Sequence, residues 1–310
     1  MKYVFGPVNS RRLGISQGID LVPPKICNFN CIYCEVGATS TLTCERREYI
    51  PLQELFAEID SLLADPDHIA RLDVFTLTAS GEPTLHSGIG KVIRYIKEKT
   101  SKPVVVLTNG SLFFLPEVRQ DLLPADIVIP SLDAAREDSY RRINRPASCT
   151  PLKDLLAGLV DFRKEFPGQL WLEILLAKNI NDSPEDIAAL VEAVKKIRPD
   201  KVQLNTVARP PLESFAKPLT RQELEAIALR FSVPVDILVD FTTRSREKFR
   251  NPSEEEIIEM LKRRPCTAED VGEALNLEPT TTRSILEKLA ASGRIIQTSH
   301  HGKQYYQTNR

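Results

Sequence analysis

The chain has 310 residues, 42% of them hydrophobic, with 41 Lys and Arg against 42 Asp and Glu for a net charge of -1. This is enough apolar material for a substantial core, arranged as one large domain plus a smaller one or as two domains, and it excludes wholesale disorder. The near-zero charge excludes a global attraction to nucleic acid or anionic membrane, so any such binding must be local.

The N-terminal stretch MKYVFGPVNSRRLG has no long apolar segment and no small-residue cleavage site, and no run of about eighteen apolar residues occurs anywhere. These features predict a cytoplasmic protein without a membrane span. Next comes CNFNCIYC (27–34), which gathers Cys27, Cys31 and Cys34, while Cys44, Cys149 and Cys266 read as isolated. In a reducing compartment, clustered thiols are more often metal ligands or redox groups than disulfide partners.

Beyond that loop, Leu52, Leu55, Phe56, Ile59, Leu62 and Leu63 share one helical face behind Pro51. DVFTLTAS (73–80) reads as a buried strand, followed by a helix at about 88–100 and by PVVVLTNG, DIVIPSL and LWLEILLAK as further strands with helices between. Ile187, Leu190, Val191, Val194 and Ile197 form another amphipathic helix, opened by Ser183 with Asp186 three residues on, and KVQLNTV follows. The alternation predicts a parallel sheet with helical crossovers, open or curled into a partial barrel. Sites in such sheets form at the carboxyl ends of the strands, where this chain has SGEPT, TNGS and SLDA. The same residues also suit ordinary turns and caps.

A proline-rich connection (208–219) leads to one more helix and the strand-like VPVDILVDF, and RSREKFRNPS (244–253) reads as a linker. After it, a helix at 254–263, CTAEDVGEAL, PTTTRSILEKLAASG and the hairpin RIIQTSHHGKQYYQ have the order of a winged helix-turn-helix over 254–310.

Structural zinc wants four ligands and catalytic zinc three plus water, but the three thiols stand together with no second CxxC or HxxxH. A cubane 4Fe-4S cluster fits thiolates, and three of them would leave one iron open. CxxxCxxC followed by Gly81-Glu82-Pro83 resembles the radical S-adenosylmethionine (SAM) enzymes over roughly residues 15 to 210. The resemblance implies a partial (βα)6 barrel within residues 1–243. It implies that Cys27, Cys31 and Cys34 hold the cluster and that its open iron chelates SAM. Tyr33 would lie by the adenine, and Gly81, Glu82 and Pro83 would contact the SAM ammonium; many members have a second glycine where this chain has Ser80. Thr108, Asn109, Ser131 and Asp133 fall where members contact the SAM carboxylate or ribose. The implied reaction is reductive cleavage of SAM to a 5'-deoxyadenosyl radical that abstracts a substrate hydrogen, fed by a low-potential donor of flavodoxin or ferredoxin type.

The opening KYVFGPVNSRRLGISQGIDLVPPKICNFNCIYC, with SGEPTLH, LTNGSL, SLDAA and RRINRP, looks like a branch grouped with the wyosine-base synthases that act on tRNA. Those enzymes carry a second cluster on further cysteines and a pyruvate-holding lysine. With Cys44, Cys149 and Cys266 isolated, a second cluster and wyosine chemistry are not expected here, and Lys25 and Lys178 read as surface or strand-end lysines. Arg11 and Arg12 would face a phosphate or carboxylate of the substrate or form an exposed basic pair. Glu173 and Asn205, polar within apolar strands, are expected to line the cavity. The tail offers an alternative, a cluster- or SAM-responsive DNA-binding regulator reading DNA through Thr281, Thr282, Arg283 and Lys288 with a wing of His300, His301 and Lys303. Acidic residues in 254–273 weigh against it, so the expectation is an enzyme whose tail recruits an RNA, peptide or protein substrate.

Overall fold

The computed structural model describes residues 1–10, 12–78, 80–238, 253–275, 277–300 and 302–308. Arg11, His301, residues 239–243 and all of the expected linker except Ser253 lie outside them. The chain opens with an antiparallel hairpin, β1 (Val4–Ser10) and β2 (Gly14–Asp20), in which Val4 faces Ile19. β1 adds to the expected strands. Its alternation is interrupted by Gly6 and Pro7, and the pairing register shifts between Phe5 and Val8.

Two short strands, β3 (Ile26–Cys27) and β4 (Thr41–Leu42), pair beside the cysteine loop. Helix α1 (Leu52–Leu63) buries Leu52, Leu55, Ile59 and Leu62 at helical spacing. In α2 (Pro66–Arg71), Asp65 caps the start by accepting from the His68 amide at 3.0 Å. Then come β5 (Val74–Thr78), α3 (Ile89–Lys99), β6 (Val104–Thr108), α4 (Pro116–Leu122), β7 (Ile127–Pro130), α5 (Glu137–Asn144) and α6 (Leu152–Glu165). The series continues with β8 (Gln169–Leu176), α7 (Pro184–Ile197), β9 (Lys201–Thr206), α8 (Arg221–Ala228) and β10 (Val235–Ile237). Ser183 caps α7 as expected, its hydroxyl accepting from the Asp186 amide at 3.1 Å.

The main sheet runs in the order β1-β2-β5-β6-β7-β8-β9-β10, with every pair from β2 onward parallel. The order never reverses, so the chain winds one way around, as in a barrel and unlike a doubly wound sheet. β1 and β10 are its two edges and do not pair with each other, which leaves the barrel partial. β2, β5, β6, β7, β8 and β9 supply the six expected strands. Val104, Val105 and Val106 are fully buried, as strands covered on both faces require.

The C-terminal elements follow the predicted order: α9 (Glu254–Arg263), α10 (Ala268–Leu275), α11 (Pro279–Ala291) and the hairpin β11 (Ile296–His300) and β12 (Lys303–Gln307). They enclose a separate cluster that includes Ile257, Leu261, Val271, Leu286 and Tyr306. Among the described residues no helix is long and apolar enough to cross a membrane.

One expectation is corrected. Cys44 and Cys149 are not isolated but form a disulfide, with Cα atoms 6.4 Å apart across a sequence separation of 105. Packing around the cysteine loop brings them together: the Thr43 amide donates to the Cys27 carbonyl at 3.0 Å, and the Ala147 amide donates to the Asn28 carbonyl at 2.9 Å. Two remote segments therefore flank the same two residues. Cys266 is free and buried.

Candidate cofactor and substrate site

The cysteine loop is shaped by its apolar residues. Ile32 is fully buried, and Phe29 packs edge-on to Tyr140 with ring centroids 5.7 Å apart. The Ile32 amide donates to the Ile143 carbonyl and the Asn30 amide to the Asn144 carbonyl, each at 3.0 Å, which fastens the loop to the end of α5. Cys27, Cys31 and Cys34 are free and half-buried. Each sulfur meets an N–H donor: Asn109 Nδ2 at 3.8 Å and the Phe29 amide at 3.4 Å for Cys27, Asn144 Nδ2 at 3.5 Å for Cys31, and Lys25 Nζ at 3.6 Å for Cys34. Burial pushes the Cys27 thiol up to about 12, helped by the charge of Glu82, and drives Cys31 well above the usual thiol range. Thiols held this way are inert as free nucleophiles and lose their protons readily only to a metal. Among the described residues no group of three His, Cys, Asp or Glu is drawn together for a single ion. The donor set, three thiols on one loop with N–H groups aimed at sulfur, fits an iron–sulfur cluster.

The Gly-Glu-Pro segment docks directly on this loop. The Glu82 amide donates to the Ile26 carbonyl at 3.0 Å, and the Lys25 amide donates to the Ser80 carbonyl at 2.7 Å. A Cβ on Gly81 would stand 1.9 Å from the Ile26 oxygen, so only glycine permits the approach. Pro83 opens a 3-10 turn (Pro83–Leu85) capped by Glu82. The Glu82 carboxylate is buried and accepts from the Thr84 amide at 3.0 Å, the Thr84 and Thr108 hydroxyls at 2.5 Å each, and the Asn109 amide at 2.8 Å. Burial raises its pKa while these donors pull it back. Glu82 and Thr108 thus serve one another, and Asn109 links them to Cys27.

On the opposite side, Asp133 is enclosed. Its Oδ2 accepts from the Tyr33 hydroxyl at 2.6 Å and Asn144 Nδ2 at 2.7 Å, and its Oδ1 accepts from the Leu175 amide at 2.9 Å. Burial pushes this carboxyl up to about 6 against those donors. Ser131, half-buried, donates its amide to the Thr108 carbonyl at 3.0 Å and joins the ends of β6 and β7.

Arg12, Glu173 and Asn205 also meet. Arg12, in the turn between β1 and β2, forms an ion pair with Glu173 on β8 and donates to Gln203 Oε1 at 2.9 Å; Asn205 Nδ2 lies 3.4 Å from Glu173. All but Gln203 line a cavity of about 730 Å³ that extends past Tyr33, Cys34 and Ser80. Arg12 is therefore an interior residue and not part of an exposed basic pair.

Asn28, Ser111 and Asn144 were not singled out in the sequence. Asn28 donates to Ser111 Oγ at 2.7 Å and accepts from Asn109 Nδ2 at 2.6 Å, completing the support of the loop. Its position beside Cys27 was the only available signal. In the tail, Thr282 is fully buried with its hydroxyl on the Glu278 carbonyl at 2.9 Å, and Arg283 pairs with Glu269 at 2.8 Å. This corrects the expectation that Thr282 is presented on an open helix face, whereas Arg283 is exposed there as expected.

A family model described as the Radical SAM superfamily matches residues 21–194. The chain is 37% identical over 99% of its length to a protein named GTPase Obg from Brachyspira hyodysenteriae, of which it spans only 45%. It is 32% identical over 100% of its length to a UPF0026 protein of Methanocaldococcus jannaschii, covering 97% of that relative. Among solved structures, TYW1 with a lysine-pyruvate adduct bound superposes with a TM-score of 0.54 at 20% identity, over 73% of this chain and 74% of that one, which is a likeness of fold. With the family model covering more than half of the chain, the cysteine loop and the one-way parallel winding have a common explanation: the chain belongs to the radical SAM superfamily, enzymes that work with a 4Fe-4S cluster and S-adenosylmethionine.

Proposed function

We propose that Cys27, Cys31 and Cys34 hold the cluster, that SAM lies between Tyr33 and the Gly81-Glu82-Pro83 segment, and that the cavity beyond receives a substrate from which hydrogen is taken. When bound, the reduced cluster supplies the electron that cleaves SAM to methionine and the 5'-deoxyadenosyl radical. The observation that carries this reading is the loop of three half-buried thiols, each with its own N–H donor, docked on Gly81. Within it, Glu82, Thr108 and Asp133 act as supports, because their side chains already bond to the protein. Backbone groups of the Gly-Glu segment, with the Tyr33 ring and Ser131, are left to face SAM, and Asn109, whose side chain bonds Cys27, Asn28 and Ser111, joins the supports. The cavity walls exclude water from the radical. A low-potential flavodoxin- or ferredoxin-type protein supplies electrons, and a cytoplasmic location suits that partner.

We take residues 1–243 as the barrel with its extension and 254–310 as a winged helix-turn-helix unit. The regulator reading is disfavoured by buried Thr282 and by the acidic residues within 254–273. The lysine chemistry named for the TYW1 structure is not transferred, since Lys178 is paired with Glu223 and Lys25 donates to the Gly37 carbonyl. GTP hydrolysis is not transferred either, as the chain contains no GxxxxGK[S/T] loop.

The test is anaerobic reconstitution, addition of SAM and a low-potential reductant, and quantification of 5'-deoxyadenosine against Cys31→Ala. Cysteine-dependent nucleoside is expected. Full nucleoside formation by the variant, or none from a cluster-loaded wild type, would refute the assignment.

A further inference from the structure

The C-terminal unit sits on the open side of the partial barrel. It touches the β1 edge, where Val8 packs on its core and Arg263 lies 3.6 Å from the Phe5 ring centroid while pairing with Asp20 at the end of β2. It also touches the other side, where the Tyr305 hydroxyl donates to the Ala208 carbonyl just past β9 at 2.8 Å. Arg209 spans Glu35 at 3.0 Å and Asp270 of α10 at 3.8 Å. Tyr305, Arg209 and Asp270 are all buried. The cavity of about 730 Å³ lies in between, walled by Ser16, Thr76 and Glu173 from the barrel and by Met260, Arg263 and Leu275 from the unit. A chamber of this size suits a small ligand beside SAM.

The inner end of the chamber has a defined chemistry. Arg12 and Glu173 form a fixed cation and anion, and Asn205 stands beside the carboxylate. Gln203, fully buried behind Arg12, accepts from it and holds the guanidinium in place without itself lining the chamber. An ion pair in such a place is weak support for stability. It is accounted for by a ligand that carries one charge of each sign. Its carboxylate would bond Arg12, and its ammonium would bond Glu173 and Asn205, leaving every charge neutralised.

Building on the radical SAM reading above, we propose that the C-terminal unit is the wall of the substrate chamber, and that the chamber takes a small zwitterion of amino-acid type, held by Arg12 and Glu173 and bounded by Met260 and Arg263. A nucleic acid does not meet this description, since Arg12, Arg209 and Arg263 are each matched by a carboxylate and offer a polyanion no excess positive charge.

The test uses the full chain and saturation-transfer NMR with glycine, L-glutamate and L-lysine as probes, butyrate and n-butylamine as single-charge controls, and a short single-stranded RNA as competitor. At least one amino acid should bind saturably where the controls do not, and Arg12→Met and Glu173→Gln should each weaken it about tenfold or more. Binding by the controls equal to the amino acids, displacement by RNA, or no loss in either variant would overturn the assignment. For the wall, amide exchange in residues 4–10 should quicken in the Arg263→Met, Tyr305→Phe double variant together with faster release of the bound amino acid; unchanged exchange would overturn it. SAM cleavage is followed separately. Nucleoside formation without amino-acid binding removes the chamber proposal alone, and amino-acid binding without nucleoside removes the radical reading and leaves the chamber standing.

Discussion

Reduction of the Cys44–Cys149 bond should cost the barrel much of its stability. The bridge closes a sequence separation of 105, and the chain entropy withheld from the unfolded state by a loop of that size is worth ~4.7 kcal/mol. For a unit of some 200 residues each kcal/mol moves the melting temperature by about 2–4 °C, so the shift should be about 10–20 °C. Cys149 is exposed, so an added reductant reaches the bond without prior unfolding. The assay is thermal unfolding of the metal-free protein under anaerobic conditions with and without a phosphine, alongside the Cys44→Ser, Cys149→Ser double variant, with thiol trapping to confirm the redox state. The variant should melt with the reduced wild type. Coincident melting of oxidised and reduced protein would refute the reasoning, as would trapping of both thiols in protein isolated under air. The bridge also clamps the two segments that bond the Cys27 and Asn28 carbonyls, so its loss should speed chelator removal of iron from a reconstituted cluster.

Gly81→Ala should abolish iron loading, because its Cβ would stand 1.9 Å from the Ile26 oxygen and displace the strand that ends in Cys27; near-normal iron content and visible absorption in that variant would contradict the docking argument. Asp133 supplies a pH test. Its folded value of about 6 stands above the usual 3.8, so its contribution to stability is complete below the unfolded value and is lost as pH rises through about 6. That gap is worth ~3 kcal/mol, and Asp133→Asn should flatten the corresponding slope when metal-free protein is unfolded in urea across this window. Superimposable pH profiles would show that the carboxyl is not desolvated as described.

The parts of the fold that could be read from sequence are those set by local periodicity. VVVLT and IVIP are continuous apolar runs that only a strand buried on both faces needs, and Leu52 to Leu62 can share a face only as a helix. β1 was hidden because Gly6 and Pro7 break its alternation, although Val4 and the register with β2 survive around them. The disulfide was hidden for another reason. Cys44 and Cys149 carry no local pattern, and their meeting depends on where α5 ends relative to β3 and β4. The site divides the same way: CxxxCxxC names its own chemistry, and Glu173 announces itself as a charge within LWLEILL. Its partner Arg12 lies 161 residues away, and nothing local to either residue indicates the pairing.

In the proposed assignment the motif carboxylates act at one remove from the cofactor. Glu82 is committed to Thr84, Thr108 and the Asn109 amide, and Asp133 to Tyr33, Asn144 and Leu175. Neither can swing toward a ligand without stranding buried donors. Asp133 accepts from the same Asn144 Nδ2 that meets Cys31, and Glu82 holds the backbone amide of Asn109, whose Nδ2 meets Cys27, so the two carboxylates anchor the residues whose amides meet sulfur. A donor already aimed at a sulfur costs no reorientation when that sulfur takes on negative charge, whereas water would have to turn. The Gly-Glu segment and the Tyr33–Asp133 pair are then two arms of one device that holds the polar surroundings of the thiols fixed, which explains why polar side chains 82 and 113 residues away, Asn109 and Asn144, converge on the cysteine loop.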